Sequence, residues 1–180
     1  RPADHALGED DPLEPANPYA ISKIATELAA RRATIHDGIP VVVARSFNHL
    51  GPRQDASFFG SAVARQIAQI EAGLLDPVLR VGNLDARRDF TDVRDTVRAY
   101  VALAERGRPG RIYNVCSGHA RVMRELLDGL ITLSRVPVTV QLDPDRLRPN
   151  DTPLLLGNPS RMATEVGWKP EIPFGQTLQD

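Results

Sequence analysis

Tyr19 and Lys23 stand four residues apart, and on a helix that spacing sets two side chains on one face within reach of a common ligand. A phenol titrates near ~10 in isolation, and a neighbouring ammonium favours the phenolate, which brings the tyrosine toward a useful general acid or base. The ammonium also has donors to spare for sugar hydroxyls. The rest of the chain sharpens this reading, because its basic residues are 20 Arg and only two Lys, Lys23 and Lys169. A planar guanidinium does not replace a compact, tunable ammonium. A lysine at this one position in an arginine-rich chain therefore points to chemistry rather than to a solvated helix face.

Other chemistries find less support. The four histidines and Cys116 do not cluster, so no metal site is expected. A net charge of -1 gives no global attraction to nucleic acid, although local arginines suit a phosphorylated small molecule. No apolar run approaches the ~20 residues of a membrane-spanning helix. The composition, 42% hydrophobic and 25% charged, is that of a soluble globular protein. One cysteine forms no internal disulfide and fits a reducing cytoplasm.

The elements that must hold these residues alternate between strand and helix. Asn17-Pro18 is a helix-start signal, since the Asn side chain accepts from an orphan amide and Pro fills the first helical position. A helix is predicted over 18–36, with Ile21, Ile24, Ala25, Leu28, Ala29 and Ile35 as a buried stripe and Gly38 as its stop. An apolar run at 39–44 reads as a buried parallel strand. A functional loop follows at 46–57, where an α/β fold places its chemistry. Further helices are predicted at 58–72, 92–106, 122–134 and 160–166, the second of them capped by Asp92 and closed by Gly107, and strands at 78–81, 112–116 and 138–142, with an Arg-rich turn at Arg87 and Arg88. The alternation predicts an α/β fold. None of the 13 glycines is separated from another by a single residue, so the glycine-rich loop that lets a backbone approach a dinucleotide's pyrophosphate is missing.

Four segments carry a resemblance: Asn17-Pro18-Tyr19-Ala20-Ile21-Ser22-Lys23, Arg45-Ser46-Phe47-Asn48-His49-Leu50-Gly51-Pro52-Arg53-Gln54, Arg88-Asp89-Phe90-Thr91-Asp92-Val93-Arg94-Asp95 and Tyr113-Asn114-Val115-Cys116-Ser117-Gly118. In content and order they resemble the extended short-chain dehydrogenase/reductases of the NAD-dependent epimerase/dehydratase family, and within it the GDP-4-keto-6-deoxymannose reductase and GDP-mannose 4,6-dehydratase group. The resemblance implies that Tyr19 protonates a sugar keto oxygen and that Lys23 binds the nicotinamide ribose and lowers the Tyr19 pKa. It implies cofactor contacts from Tyr19, Lys23, Phe47 and His49, and substrate contacts from Asn48, Asn83, Arg88, Arg148 and Asp151. The family's third catalytic hydroxyl, a Ser or Thr, would precede Arg1.

By the same resemblance the chain is the C-terminal portion of a Rossmann-type parallel sheet plus a smaller α/β sugar-nucleotide-binding domain. Residues 1–57 are the tail of the Rossmann domain with the Tyr/Lys helix, and 58–180 are mostly substrate domain, with 92–116 returning to the Rossmann domain. The implied activity is NAD(P)-dependent reduction of a GDP-4-keto-6-deoxy sugar by a full-length enzyme, homodimeric through the Tyr/Lys helix, with NAD(P) not retained by these 180 residues alone. A 4,6-dehydratase or other epimerase/dehydratase stays open, as does an inert chain that only binds a nucleotide sugar. The opening at Arg1 in a Pro-rich stretch reads as a cut within a loop.

Overall fold

The structure is a computed structural model and describes residues 5–147 and 152–180. Its first helix, α1 (Pro18–His36), begins as the sequence predicts: Asn17 accepts from the Ala20 amide at 2.9 Å, and Pro18 opens the first turn. Gly38, with φ of +68°, lies just past its end. The stripe is not where it was expected, because α1 has no buried residue. Ala20, Ile24, Glu27, Ala30 and Thr34, spaced four, three, three and four apart, are its partly buried face. Ile21, Leu28 and Ile35 flank that face and are 57%, 61% and 63% exposed.

The strand expected at 39–44 forms later, as β1 (Val43–Ser46), parallel to β5 (Ile112–Val115) with Arg45 opposite Asn114. Pro40, with no N–H to give a ladder, fits the delay. The stretch expected to be a loop from 46 carries a second strand, β2 (Asn48–Leu50). The expected turn at Arg87 and Arg88 is likewise strand, the start of β4 (Arg87–Asp92). Both misreadings share a cause, since short strands bearing polar side chains at a sheet end have no apolar alternation to announce them.

β4 organises the largest sheet. Its later residues pair in parallel with β2, and its earlier ones pair antiparallel with β6 (Ala120–Val122) and parallel with β8 (Leu154–Leu155). A separate parallel pair joins β3 (Val78–Val81) to β7 (Thr139–Leu142). The helices α2 (Phe59–Glu71) and α4 (Met123–Leu133) bury Val63, Ile67 and Ile70 against Leu126, Leu127 and Leu130, with Leu50, Leu79 and Val81 completing one core. Gly60 permits the closest approach, because a Cβ there would stand 2.4 Å from Leu50 Cδ1.

A second core lies on the β1–β5 pair. The helix α3 (Val93–Arg106) starts on the Asp92 side chain, which accepts from the Arg94 amide, and ends at Gly107, as predicted. It buries Ala99, Ala102 and Leu103 against Tyr113, Val115, Met162, Val166 and Trp168. The predicted helix at 160–166 is present with a π-helical stretch over Met162–Val166, and α5 (Phe174–Gln179) closes the chain. No helix among the described residues is long and apolar enough to cross a membrane.

Candidate active site

The first turn of α1 presents the Tyr/Lys pair to solvent. Tyr19 is 70% exposed, and the Lys23 ammonium lies over its ring at 5.2 Å from the centroid. Helical side chains lean toward the N-terminus, which carries Lys23 back over the residue four positions earlier. Among the described residues Lys23 makes no ion pair. Glu27, one turn further on, is paired instead with Arg45 of β1: Nε to Oε1 and Nη2 to Oε2 are both 2.7 Å. Arg45 Nη1 also donates to the Glu9 carbonyl at 2.9 Å.

β1 delivers the next candidates. The Phe47 amide donates to the Val115 carbonyl at 3.0 Å, so the β1–β5 ladder extends one residue before the chain crosses to β2. Within β2, Asn48 pairs with Phe90 and His49 with Thr91. Alternation along a strand sends the Asn48 and His49 side chains to opposite faces, and puts Arg88, two before Phe90, on the Asn48 face. Both Asn48 and His49 are exposed. The strap that follows is fixed by Gln54, whose amide donates to the His49 carbonyl at 2.8 Å and whose oxygen accepts from Ser61 at 2.9 Å.

Arg88 donates to the Thr152 carbonyl at 2.6 Å and to its neighbour Arg87's carbonyl at 2.9 Å. Asn83 uses its side-chain oxygen on the Asp85 amide, at 3.0 Å, in a local turn. Arg148 and Asp151, expected to touch substrate, lie outside the described residues. A cavity of about 220 Å³ opens behind the 50–54 strap between Gly60, Leu130 and Leu178, and Tyr19, Asn48 and Arg88 do not line it. No group of His, Cys, Asp and Glu among the described residues is placed to hold a metal. Cys116 is buried, and burial, reinforced by the Asp89 charge, pushes its thiol well above the ordinary range. It is a packing residue rather than a nucleophile.

Two features that fix the site escaped the sequence reading. The Glu27–Arg45 pair has half a signal, because Glu27 follows Lys23 by four, but its partner is eighteen residues on and only the fold brings it there. Asp89 is buried completely and its carboxylate gathers Ser117, Gly118 and Gly157 around the base of β4; nothing in the spacing of those residues announces the convergence.

A parallel β1–β5 pair flanked by helices, with a Tyr-x-x-x-Lys helix leading into it, defines a Rossmann-type epimerase/dehydratase class. The comparisons narrow this: the chain belongs to the GDP-mannose 4,6 dehydratase family, whose model matches residues 1–180. It is 42% identical to a GDP-6-deoxy-D-mannose reductase of Pseudomonas aeruginosa over 92% of this chain and 54% of that protein. It is 27% identical to a GDP-mannose 4,6-dehydratase of Yersinia enterocolitica over 91% of this chain and 51% of that protein. The solved structure of RMD from P. aeruginosa complexed with NADPH superposes with a TM-score of 0.89 at 40% identity, covering 95% of this chain and 57% of that one. The chain thus spans about half the length of the relatives it matches.

Proposed function

We propose that a protein of the relatives' length carrying this chain reduces a GDP-4-keto-6-deoxy sugar with NAD(P)H, and that this chain supplies the proton-donating pair and the sugar-nucleotide side of the site. The observation that carries the reading is the Lys23 ammonium lying over the Tyr19 ring with no carboxylate partner among the described residues. Its donors suit a nicotinamide ribose, and the partly buried Phe47 and the His49 ring suit the same end of the cofactor. The pyrophosphate end does not find its loop here, since no glycine-rich turn is in these residues. When bound, the nicotinamide supplies the hydride. Tyr19 gives its hydroxyl proton to the sugar's keto oxygen as that oxygen gains charge, Lys23 fixes the phenol and ribose, and Asn48 and Arg88, on one sheet face, hold the diphosphate. Arg148 and Asp151 contact the guanosine in the same reading.

The 42% identity to a GDP-6-deoxy-D-mannose reductase, against 27% to a dehydratase, supports the reductase over the dehydratase. In the same reading residues 1–57 and 92–116 belong to the cofactor domain and most of the remainder to the substrate domain. The exposed Ile21, Leu28 and Ile35 support a homodimer through α1, and the lone buried cysteine supports a cytoplasmic setting.

The test is NADPH oxidation by the longer protein with GDP-4-keto-6-deoxymannose, before and after Tyr19→Phe. Loss of roughly 10²–10⁴-fold in kcat supports the reading, and an unchanged rate ends it. Conversion of GDP-mannose to a 4-keto product without net NADPH oxidation would assign the dehydratase reaction instead. The 180-residue chain by itself is expected to show no turnover, because hydride transfer needs a cofactor held in near-attack geometry.

A further inference from the structure

We propose that Arg45 is a positioning residue that sequesters Glu27 and so keeps the Lys23 ammonium over Tyr19, free of any carboxylate. The consequence for catalysis rests on the Tyr/Lys reading above; the geometry does not. Lys23 and Glu27 are four apart on α1, the spacing at which an ammonium and a carboxylate on an open helix attract each other. Left to themselves the two attract, which draws the ammonium toward the helix C-terminus and away from the phenol, which lies on the N-terminal side.

In the structure the carboxylate is occupied. Arg45 meets both Glu27 oxygens with two parallel 2.7 Å bonds, the fork geometry that favours guanidinium over ammonium as a carboxylate partner. The two side chains are each 18% exposed, so the pair is shielded from the water and salt that weaken surface ion pairs. Arg45 is itself held in place. Its third nitrogen donates to the Glu9 carbonyl at 2.9 Å, the Glu9 carboxylate accepts from the Asn114 amide at 2.9 Å, and Asn114 is the residue opposite Arg45 in the β1–β5 register. Among the described residues, the Arg45 bonds are also the only side-chain hydrogen bonds tying α1 to a strand. The same contact therefore sets where the helix sits and which partner its lysine lacks.

Two lysines in the chain make the test direct. In the 180-residue protein labelled with ¹³C-lysine, the Lys23 side-chain protons are expected upfield of those of Lys169, from the Tyr19 ring current, and Tyr19→Leu identifies that displacement by abolishing it. Arg45→Met is expected to reduce the displacement, by up to about half, as Glu27 draws on Lys23. Adding Glu27→Gln to Arg45→Met is expected to restore it, whereas Glu27→Gln alone leaves it in place. A role confined to stability does not predict restoration by a second loss. Arg45→Gln, which keeps a polar group at this place in the strand, gives the same readings should the methionine variant fold poorly. Lys23 signals unmoved by Arg45 replacement, or left unrestored by Glu27→Gln, overturn the proposal.

In the longer protein the same variants are expected to lower kcat by roughly twofold and then recover it, the scale of an i,i+4 ion pair that the lysine must break to act. An unchanged rate in Tyr19→Phe there would end the functional reading while leaving the lysine measurement standing. Lysine signals that ignore Arg45, beside an inactive Tyr19→Phe, would do the reverse.

Discussion

Asp89 and Ser117 are joined twice: Oδ1 of the buried carboxylate accepts from both the Ser117 amide, at 2.7 Å, and the Ser117 hydroxyl, at 2.6 Å. Oδ2 takes the Gly118 amide at 2.9 Å and the Gly157 amide at 3.2 Å. One side chain thus binds β4 to the turn after β5 and to the segment after β8, directly beside Arg88.

Four converging donors define what Asp89→Asn would do. The amide oxygen can replace one carboxylate oxygen, but the NH₂ must then face two N–H groups it has no means to accept from. The expected loss is about 3 kcal/mol, the scale of leaving buried donors unpaired around a removed charge. For a chain of this size that lowers Tm by roughly 6–12 °C, read by thermal unfolding. A shift under about 2 °C would show that the four bonds do not hold the turn as described.

Gly157 offers a second, steric probe of the same junction. A Cβ there would stand 2.5 Å from Cys116 Sγ and 2.9 Å from Phe47 Cε2. Gly157→Ala must therefore push on the ring that leads into Asn48 and His49, at an overpacking cost of about 1–3 kcal/mol. Cys116 is fully buried and its thiol is held protonated, so native labelling by a thiol reagent is expected to be slow and to quicken in Gly157→Ala. Labelling at the same rate in both proteins would mean the junction absorbs the methyl without opening.

One part of the pH dependence of stability can be traced to one hydroxyl. Tyr113, fully buried, donates to Glu165 at 3.0 Å, and that bond, opposed by burial and assisted by Arg111 and Arg108, holds the Glu165 carboxyl below its ordinary range. A carboxyl lowered by folding stabilises the protein above its unfolded pKa, near ~4.3, and the contribution is lost as pH falls through the lower folded value. Tyr113→Phe is therefore expected to be less stable than the parent at pH 7, with the gap narrowing as pH falls below about 4. Urea unfolding of both proteins across that window checks it, and a gap that is constant with pH would break the link to Glu165.

How far the sequence foretold this molecule differs from residue to residue. The ends of α1 and α3 were legible because their signals are local: Asn17 with Pro18, Asp92, Gly38 and Gly107 act within a turn of themselves. Tyr19 and Lys23 were legible for the same reason. β2 and β4 were not, because a strand three to six residues long built largely of polar side chains exists only through its partners. The exposure of Ile21, Leu28 and Ile35 was hidden by the pattern itself. Helical periodicity reports that a face is apolar and says nothing of what covers it. The grip of Asp89 on two distant segments and of Arg45 on Glu27 is a property of tertiary convergence, which no spacing along the chain encodes.

The uncovered face leads to the last expectation. Ile21, Leu28 and Ile35 recur every seven residues, a spacing that keeps them on one line of a helix and suits a seam against another helix. All three are more than half exposed, and exposed apolar side chains aligned in this way favour association. A second copy of α1 is expected to cover it, so sedimentation equilibrium should report twice the chain mass of 19.7 kDa at micromolar concentration. Leu28→Glu sets a carboxylate in the middle of the seam, where two copies would place like charges together without partners. It is expected to yield the monomer while leaving the β1–β5 core intact, because Leu28 packs against nothing within its own chain's core clusters. A parent protein that stays monomeric, or a dimer that survives Leu28→Glu, would place the seam against something other than a second α1.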